Sequence, residues 1–212
     1  MRMPTAAVVL WLLVLLALPG QPARASSYAL FGSSEMQGGN LAFFPQFTDM
    51  LRRYSADLTH LGDSCQSRGD TACLLQEWAS FITSVQGLDR RGQIERVNRY
   101  INAIDYIEDP DNWGAEDYWA TPAQFFARSG DCEDYAIAKY MTLRSLGFPI
   151  ESMRIVVLMD TNLGIGHAVL AVYTESDVLV LDNQIDQVVS QSSIHHYQPV
   201  YSLNELNWWR HR

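Results

Sequence analysis

The spacing of apolar residues changes once along this chain, and that change limits the folds available to it. Up to Leu146, apolar residues recur every three or four positions, which is the period of an amphipathic helix. From Arg154 onward they form short continuous runs rich in β-branched residues, which is typical of buried strands. Helices that precede strands, instead of alternating with them, predict an α+β fold with helices packed on an antiparallel sheet.

The helical spacing predicts three N-terminal helices and one long central helix. The first three are expected within 45–61, 74–85 and 94–104, where apolar residues occupy one face. The fourth, at 131–146, is apolar on most sides, so we expect it to be buried. Gly147 ends it, since glycine adopts the left-handed cap conformation without a penalty from a Cβ atom.

The second half of the chain is predicted to form the sheet. Two strands, at 167–173 and 177–182, are joined by a polar turn, and we expect a hairpin in which paired residue numbers sum to 351. In that register His167 lies opposite Gln184, and Asp182 is its diagonal neighbour on the same face of the sheet. The other predicted strands are at 154–159 and, as short edge strands, at 188–189 and 200–201, and residues 26–40 are expected to be irregular.

The run Gly130-Asp131-Cys132-Glu133-Asp134-Tyr135 places a cysteine in the first turn of the central helix. A helix N-terminus stabilises a thiolate, and its N–H groups can bind an oxyanion. The flanking carboxylates oppose this by raising the thiol pKa, so we expect a bound cation or an imidazolium to offset them.

Cys132, His167 and Asp182 follow one another in the order of a nucleophile, a base and an orienting carboxylate. These are the parts of a nucleophilic hydrolase or acyl-transferase. Each residue alone also has a structural interpretation: a core thiol, a structural histidine and the end of a strand. The three together, with a register that brings two of them to one face, favour the catalytic interpretation.

Asp131, Glu133 and Asp134 also suit a hard cation with oxygen ligands, such as calcium. The alternative is the acidic first turn of a solvated helix, where carboxylates are favourable without a metal. The segment 109–112 resembles part of a calcium loop but lacks the spacing of an EF-hand, so we expect it to be structural.

Residues 1–25 are expected to be a cleaved signal peptide. Arg2 precedes an apolar run that is too short to cross a bilayer, and Ala23-Arg24-Ala25 fits the cleavage pattern. An uncleaved anchor is the alternative. We expect residues 26–212 to be a single domain. Loss of Arg2 and Arg24 changes the formal charge from −9 to −11, and an acidic surface argues against nucleic-acid binding.

The chain contains three cysteines. Cys65 and Cys73 lie in a stretch rich in Gly, Ser and Asp and are expected to form a disulfide, with two free thiols as the alternative. Cys132 is then unpaired. In an oxidising compartment such a thiol is either buried and inert or kept for its reactivity.

Several short runs together resemble the bacterial transglutaminase-like cysteine proteinase family, of the LapG type of periplasmic protease. The runs are Trp113-Gly114, Asp117-Tyr118-Trp119-Ala120-Thr121-Pro122, Gly130-Asp131-Cys132-Glu133-Asp134-Tyr135-Ala136, Gly166-His167-Ala168 and Leu181-Asp182-Asn183. The resemblance implies a papain-like/transglutaminase-like core, a triad of Cys132, His167 and Asp182, and calcium bound by Asp131, Glu133 and Asp134.

The same resemblance implies a location and partners. The substrate would be the N-terminal region of a large cell-surface adhesin, cut in the periplasm near a di-alanine motif to release biofilm. The regulator would be an inner-membrane receptor that senses cyclic di-GMP and sequesters the protease through its periplasmic domain. Neither nucleic-acid binding nor direct membrane insertion is expected. The alternatives are a transglutaminase or amidase acting on cell-wall peptides, and a non-catalytic binding module on the same fold.

Overall fold

The computed structural model describes residues 29–67 and 69–212, so the predicted signal peptide at 1–25 lies outside the described residues. Within the described ranges the chain forms six α-helices and a seven-stranded sheet, which confirms the α+β class. The helices are α1 (Pro45–Asp57), α2 (Thr71–Val85), α3 (Arg90–Asn102), α4 (Asp109–Asn112), α5 (Pro122–Arg128) and α6 (Cys132–Ser145). The strands are β1 (Glu35–Gly38), β2 (Met153–Asp160), β3 (Ile165–Tyr173), β4 (Val178–Leu181), β5 (Val189–Ser190), β6 (Tyr197–Leu203) and β7 (Trp208–His211).

The sheet is antiparallel throughout, with the strand order β1-β7-β6-β2-β3-β4-β5. Two predictions about it are wrong. The strand expected at the edge near 200–201 is β6, which lies inside the sheet between β7 and β2. The segment 26–40, expected to be irregular, contributes edge strand β1, because its backbone pairs with β7 at the other end of the sequence. The strand near 188–189 does lie at an edge, as β5.

The central helix α6 is buried, as its apolar composition predicts. Every residue from 134 to 143 is buried, and the helix packs on β2 and β3 on one side and on α3 and α5 on the other. The Trp78 indole N–H, from α2, donates a hydrogen bond of 2.9 Å to Thr142 Oγ1 of α6. Gly147 follows the helix with φ +81°, so the predicted glycine cap is confirmed.

The sheet carries an apolar cluster on each face, because side chains alternate along β2 and β3. The larger cluster joins the helices to one face. The smaller one, which we call the outer cluster, covers the opposite face and includes Leu30, which precedes β1. Its buried members are Leu30, Val156, Leu158, Val169, Ala171, Tyr173, Val178, Val180, Ile194 and Tyr197.

Two further features are a disulfide and the apolar character of the helices. Cys65 and Cys73 form a disulfide, as predicted. The disulfide links the loop that precedes α2 to the first turn of that helix. Among the described residues, no helix combines the length and the apolar character needed to cross a membrane.

Candidate active site

The N-terminus of α6 and the beginning of β3 meet at one open cleft of about 440 Å³. Cys132 enters it from the helix, and His167 enters it from the strand next to Gly166 and Ala168. Apart from its two chain neighbours, a Cβ atom built on Gly166 would meet no atom within 4 Å in the described part of the chain, so this strand leaves open space above its backbone. The other lining residues are Tyr106, Glu108, Pro110, Glu116, Asp117, Trp119, Asp131, Glu133, Val157 and Tyr201.

The hairpin of β3 and β4 has the predicted register. Leu170 pairs with Leu181 and Tyr173 pairs with Val178, so the paired numbers sum to 351. His167 does not pair with Gln184, because β4 ends at Leu181 and the chain turns away. The Gln184 backbone N–H instead donates to Asp182 Oδ1 at 2.9 Å.

His167 and Asp182 are hydrogen-bonded to each other, and Tyr197 completes a group that we call the histidine network. His167 Nε2 lies 2.9 Å from Asp182 Oδ1, and the Tyr197 hydroxyl donates to Asp182 Oδ2 at 2.5 Å. All three residues are buried, Asp182 completely. Because Nε2 is occupied, Nδ1 is the ring nitrogen left for a reaction in the cleft.

The charge state of this network follows from these contacts. Burial alone would raise the pKa of Asp182, but the hydrogen bonds from His167 and Tyr197 hold it below its usual value. Burial and the bond to Asp182 raise the pKa of Tyr197, so its hydroxyl keeps its proton and remains a donor. Asp182 is therefore a carboxylate with donors on both oxygens.

Cys132 is a free, half-buried thiol at the first position of α6. Its Sγ donates to Glu133 Oε2 at 3.2 Å. Burial raises the thiol pKa strongly, the charges of Glu133 and Asp131 add to the rise, and the Ala168 backbone N–H opposes it. Burial, with the flanking carboxylates adding to it, thus keeps the thiol protonated despite its place at the helix N-terminus.

Five carboxylates form an acidic group beside Cys132, which we call the carboxylate cluster. Ligand atoms of Asp109, Asp131 and Asp134 lie within 4.8 Å of one another, and so do those of Asp109, Asp117 and Glu133. Of the predicted residues, Asp131 and Asp134 thus share one group with Asp109, whereas Glu133 belongs to the other.

One residue of segment 109–112, which the sequence predicts to be structural, lies in the carboxylate cluster. Asp109 begins helix α4, is 1% exposed, and reaches both groups of the carboxylate cluster. The loop between α4 and α5 folds back on it, and the Tyr118 backbone N–H donates to Asp109 Oδ2. Spacing alone could not reveal this, because the cluster is assembled from segments that are distant in sequence.

Three buried oxygens of the carboxylate cluster have no hydrogen-bond partner within the described part of the chain: Asp109 Oδ1, Asp131 Oδ1 and Asp134 Oδ2. The other carboxylate oxygen of Asp134, Oδ1, accepts a hydrogen bond of 2.6 Å from the Ala120 backbone N–H, which fixes that side chain. A Cβ atom at Gly130 would collide with Asp134, so the glycine of the Gly-Asp-Cys run makes room for this carboxylate.

The cluster shows pKa shifts opposite to that of Asp182. Burial and the neighbouring charges raise the pKa of Asp109 to about 6 and that of Glu133 to about 9. Burial likewise raises the pKa of Asp131, and that of Asp134 well above its usual value. Buried carboxylates with unpaired oxygens are a donor set that a calcium ion can satisfy.

With this geometry established, comparison with known proteins gives a clear result. The sequence profile of the bacterial transglutaminase-like cysteine proteinases matches residues 60–211. The chain belongs to that family. The resemblance predicted from the sequence is therefore confirmed, and so is the transglutaminase-like fold.

Three solved structures of LapG from Legionella pneumophila are similar to this member of the family. One is 31% identical to this chain and has a TM-score of 0.61. The match covers 76% of this chain and 87% of the LapG chain. A calcium-bound form and an EGTA-treated form are also 31% identical, and each covers 77% of this chain and 86% of its own, with TM-scores of 0.61 and 0.62. Comparison with curated protein sequences gives no significant match.

Proposed function

We propose that this proteinase is a calcium-dependent endopeptidase of the periplasm, exported by the signal peptide at 1–25 and active as a single domain at 26–212. One observation carries the proposal. A free cysteine at a helix N-terminus and a histidine bound to a buried carboxylate line the same cleft. Membership of a cysteine proteinase family supports the reaction class.

In the proposed mechanism Cys132 Sγ attacks the scissile carbonyl carbon, and His167 Nδ1 takes the thiol proton. The Cys132 backbone N–H, at the start of α6, helps to bind the oxyanion. His167 then returns the proton to the leaving amine as the peptide bond breaks, and water hydrolyses the thioester. Asp182 holds the ring in the orientation and tautomer that these transfers need.

Calcium fits the carboxylate cluster. Asp131, Glu133 and Asp134 would hold the ion together with Asp109 and Asp117, since three of these residues present buried oxygens that have no hydrogen-bond partner among the described residues. When bound, the ion would supply positive charge beside Cys132 and thereby favour the thiolate. The calcium-bound form of Legionella pneumophila LapG supports this part of the proposal by similarity.

We further propose that the substrate is the N-terminal region of a large cell-surface adhesin, and that its cleavage releases biofilm. The periplasmic domain of an inner-membrane receptor for cyclic di-GMP would control the enzyme by binding it. Similarity to LapG supports both partners. The open space above Gly166 suits an extended substrate chain that passes beside Cys132.

Incubation of purified 26–212 with adhesin N-terminal fragments tests the reaction. We expect new termini by mass spectrometry in calcium, loss of cleavage in EGTA and recovery when calcium, but not magnesium, is restored. Cys132→Ala should abolish cleavage while its thermal unfolding midpoint stays near that of the wild type. Isopeptide cross-links in place of new termini would identify a transglutaminase, and binding without turnover would identify a non-catalytic module.

The regulator is tested separately. An excess of the receptor's periplasmic domain should lower the cleavage rate in proportion to the fraction of enzyme bound. Undiminished cleavage at full saturation would contradict the control mechanism and leave the assignment as a protease intact.

A further inference from the structure

We propose that Tyr197 is a positioning residue of the active site, whose hydroxyl fixes the Asp182 carboxylate from the side opposite His167. The inference rests on the proposed function, since it concerns the same histidine and carboxylate. Tyr197 is not among the residues that line the cleft. It acts through Asp182, to which it donates at 2.5 Å.

Each oxygen of Asp182 has a defined set of donors. Oδ1 accepts from the Gln184 backbone N–H and pairs with His167 Nε2, both at 2.9 Å. Oδ2 accepts from Tyr197, its one hydrogen-bond donor in the described part of the chain. Without that hydroxyl, Oδ2 would be a buried acceptor with no partner, and the carboxylate could rotate to present either oxygen to the ring.

The position of Tyr197 in the sheet makes this contact a tertiary one. Tyr197 begins β6, whereas Asp182 follows β4, and strands β2 and β3 lie between those two. The tyrosine side chain therefore reaches across the outer face of the sheet, over the strand that carries His167. Its ring meets the His167 ring edge-on, with the centroids 5.9 Å apart.

The outer cluster holds Tyr197 in place. Tyr197 is 6% exposed, and its ring packs edge-on against Phe31 at 5.7 Å and against His196 at 4.7 Å. Phe31 adopts φ +49°, an uncommon conformation for a residue with a side chain, and its backbone N–H donates to Gln191 Oε1 at 2.9 Å. The segment before β1 thus covers the tyrosine and excludes water from its bond to Asp182.

The sheet also supplies a matched control. Tyr173 lies in the same outer cluster, on β3, and its hydroxyl is buried without a hydrogen-bond partner in the described part of the chain. Tyr173→Phe and Tyr197→Phe therefore remove the same atom from two buried tyrosines of the outer cluster. They differ in whether that atom binds Asp182.

The first measurement is steady-state cleavage of the adhesin fragment by both variants. Tyr197→Phe should lower kcat about tenfold with KM unchanged, as is typical when the partner of a functional side chain is lost. Tyr173→Phe should stay within about twofold of the wild type. Replacement of Tyr197 by 3-fluorotyrosine, which keeps the hydroxyl, should restore kcat. Wild-type kcat in Tyr197→Phe would overturn the proposal.

The second measurement needs no substrate, so it separates this inference from the proposed function. The buried His167 ring proton on Nε2 should give a slowly exchanging low-field resonance in a proton NMR spectrum, assigned by its loss in His167→Gln. We expect that resonance to shift and to exchange faster in Tyr197→Phe, and to stay unchanged in Tyr173→Phe. If Tyr197→Phe does not fold, the 3-fluorotyrosine protein must still show a shifted resonance.

The outcomes are distinct. Absence of the resonance in the wild type, or an identical resonance in Tyr197→Phe, contradicts a positioning role, even where kcat falls through a loss of stability. If the wild type cleaves no adhesin fragment while the resonance behaves as expected, the proposed function fails and the role of Tyr197 stands.

Discussion

The histidine network and the carboxylate cluster lie on two sides of the cleft, and we call them its two walls. They differ in how many of their polar atoms have hydrogen-bond partners. In the histidine network, both oxygens of Asp182 accept hydrogen bonds, and His167 and Tyr197 are held by packing. In the carboxylate cluster, like charges lie within 4.8 Å of one another, and three buried oxygens have no partner among the described residues. The histidine network is therefore the complete wall, because its carboxylate oxygens have hydrogen-bond donors. The carboxylate cluster is the strained wall, because its carboxylates repel one another.

The difference separates what the protein supplies from what a cation would add. A satisfied network is rigid and presents the His167 ring in one orientation. A cluster of unpaired carboxylates stores repulsion that a divalent ion relieves, and that ion would also offset the charges that keep the Cys132 thiol protonated. Under the proposed function, the effect of calcium would therefore be exerted on the nucleophile's half of the site.

The largest expected effect comes from breaking the complete wall. Asp182→Asn should lower kcat by about 10³–10⁴-fold, because an amide can present its N–H to His167 and stabilise the wrong tautomer. Steady-state cleavage of the adhesin fragment measures it. Asp186→Asn, an exposed carboxylate four residues on, is the matched control and should have no comparable effect. Equal kcat values for the two variants would contradict the role of Asp182.

The next effect concerns the strained wall. Asp109→Asn should weaken calcium binding by about 10–100-fold, because it removes one charge and one ligand from the carboxylate cluster. Titration calorimetry measures the affinity. Asp111→Asn, in the same helix α4 but exposed, should leave the affinity unchanged. Identical affinities would exclude Asp109 from the site.

A smaller effect is expected from overpacking the strained wall. Gly130→Ala should destabilise the protein by about 1–3 kcal/mol, because the added methyl group collides with Asp134. Denaturant unfolding measures this free energy. Gly87→Ala places a methyl group where, apart from the two chain neighbours, no atom of the described residues lies within 4 Å, and it should change stability by no more than about 0.5 kcal/mol. A neutral Gly130→Ala would mean that Asp134 is not held against that glycine.

The last comparison is the pH dependence of stability, which should have opposite signs for the two walls. Above about pH 4 the unfolded chain loses protons that Asp109 and Glu133 retain when folded, until they ionise near pH 6 and pH 9. In EGTA, stability should therefore fall from pH 5 to pH 9, by at most about 1.4 kcal/mol per pH unit for each group that is still protonated when folded. Asp182, whose pKa is lowered, contributes stability that is lost only towards acid.

Thermal unfolding as a function of pH checks this slope. Calcium should flatten it, because the bound ion removes the cost of ionising the cluster. A midpoint that rises from pH 5 to pH 9 in EGTA, or a slope that calcium leaves unchanged, would be inconsistent with strained carboxylates.

The two walls also differ in how far the sequence alone predicts them. The hairpin that joins His167 to Asp182 is local, so its turn and its alternation of side chains were enough to give the register. The N-terminus of α6 was equally predictable, since it depends on one helical run. The fold class followed from the same short-range periods.

Contacts between distant segments were not predictable. Tyr197 is in a strand two positions away in the sheet from the one that carries His167, and no spacing in the sequence links it to Asp182. Asp109 joins the carboxylate cluster through the path of the loop that follows α4, and β1 exists because it pairs with β7. Each of these features depends on the tertiary fold.

The most direct test of the central claim is the alkylation rate of Cys132 by iodoacetamide at pH 7, with calcium and with EGTA. We expect calcium to raise the rate at least about tenfold in the wild type and to have little effect in Asp109→Asn, because the ion offsets the carboxylates that keep the thiol protonated. The same rate in calcium and in EGTA would contradict the account, since the strained wall would then have no influence on the nucleophile.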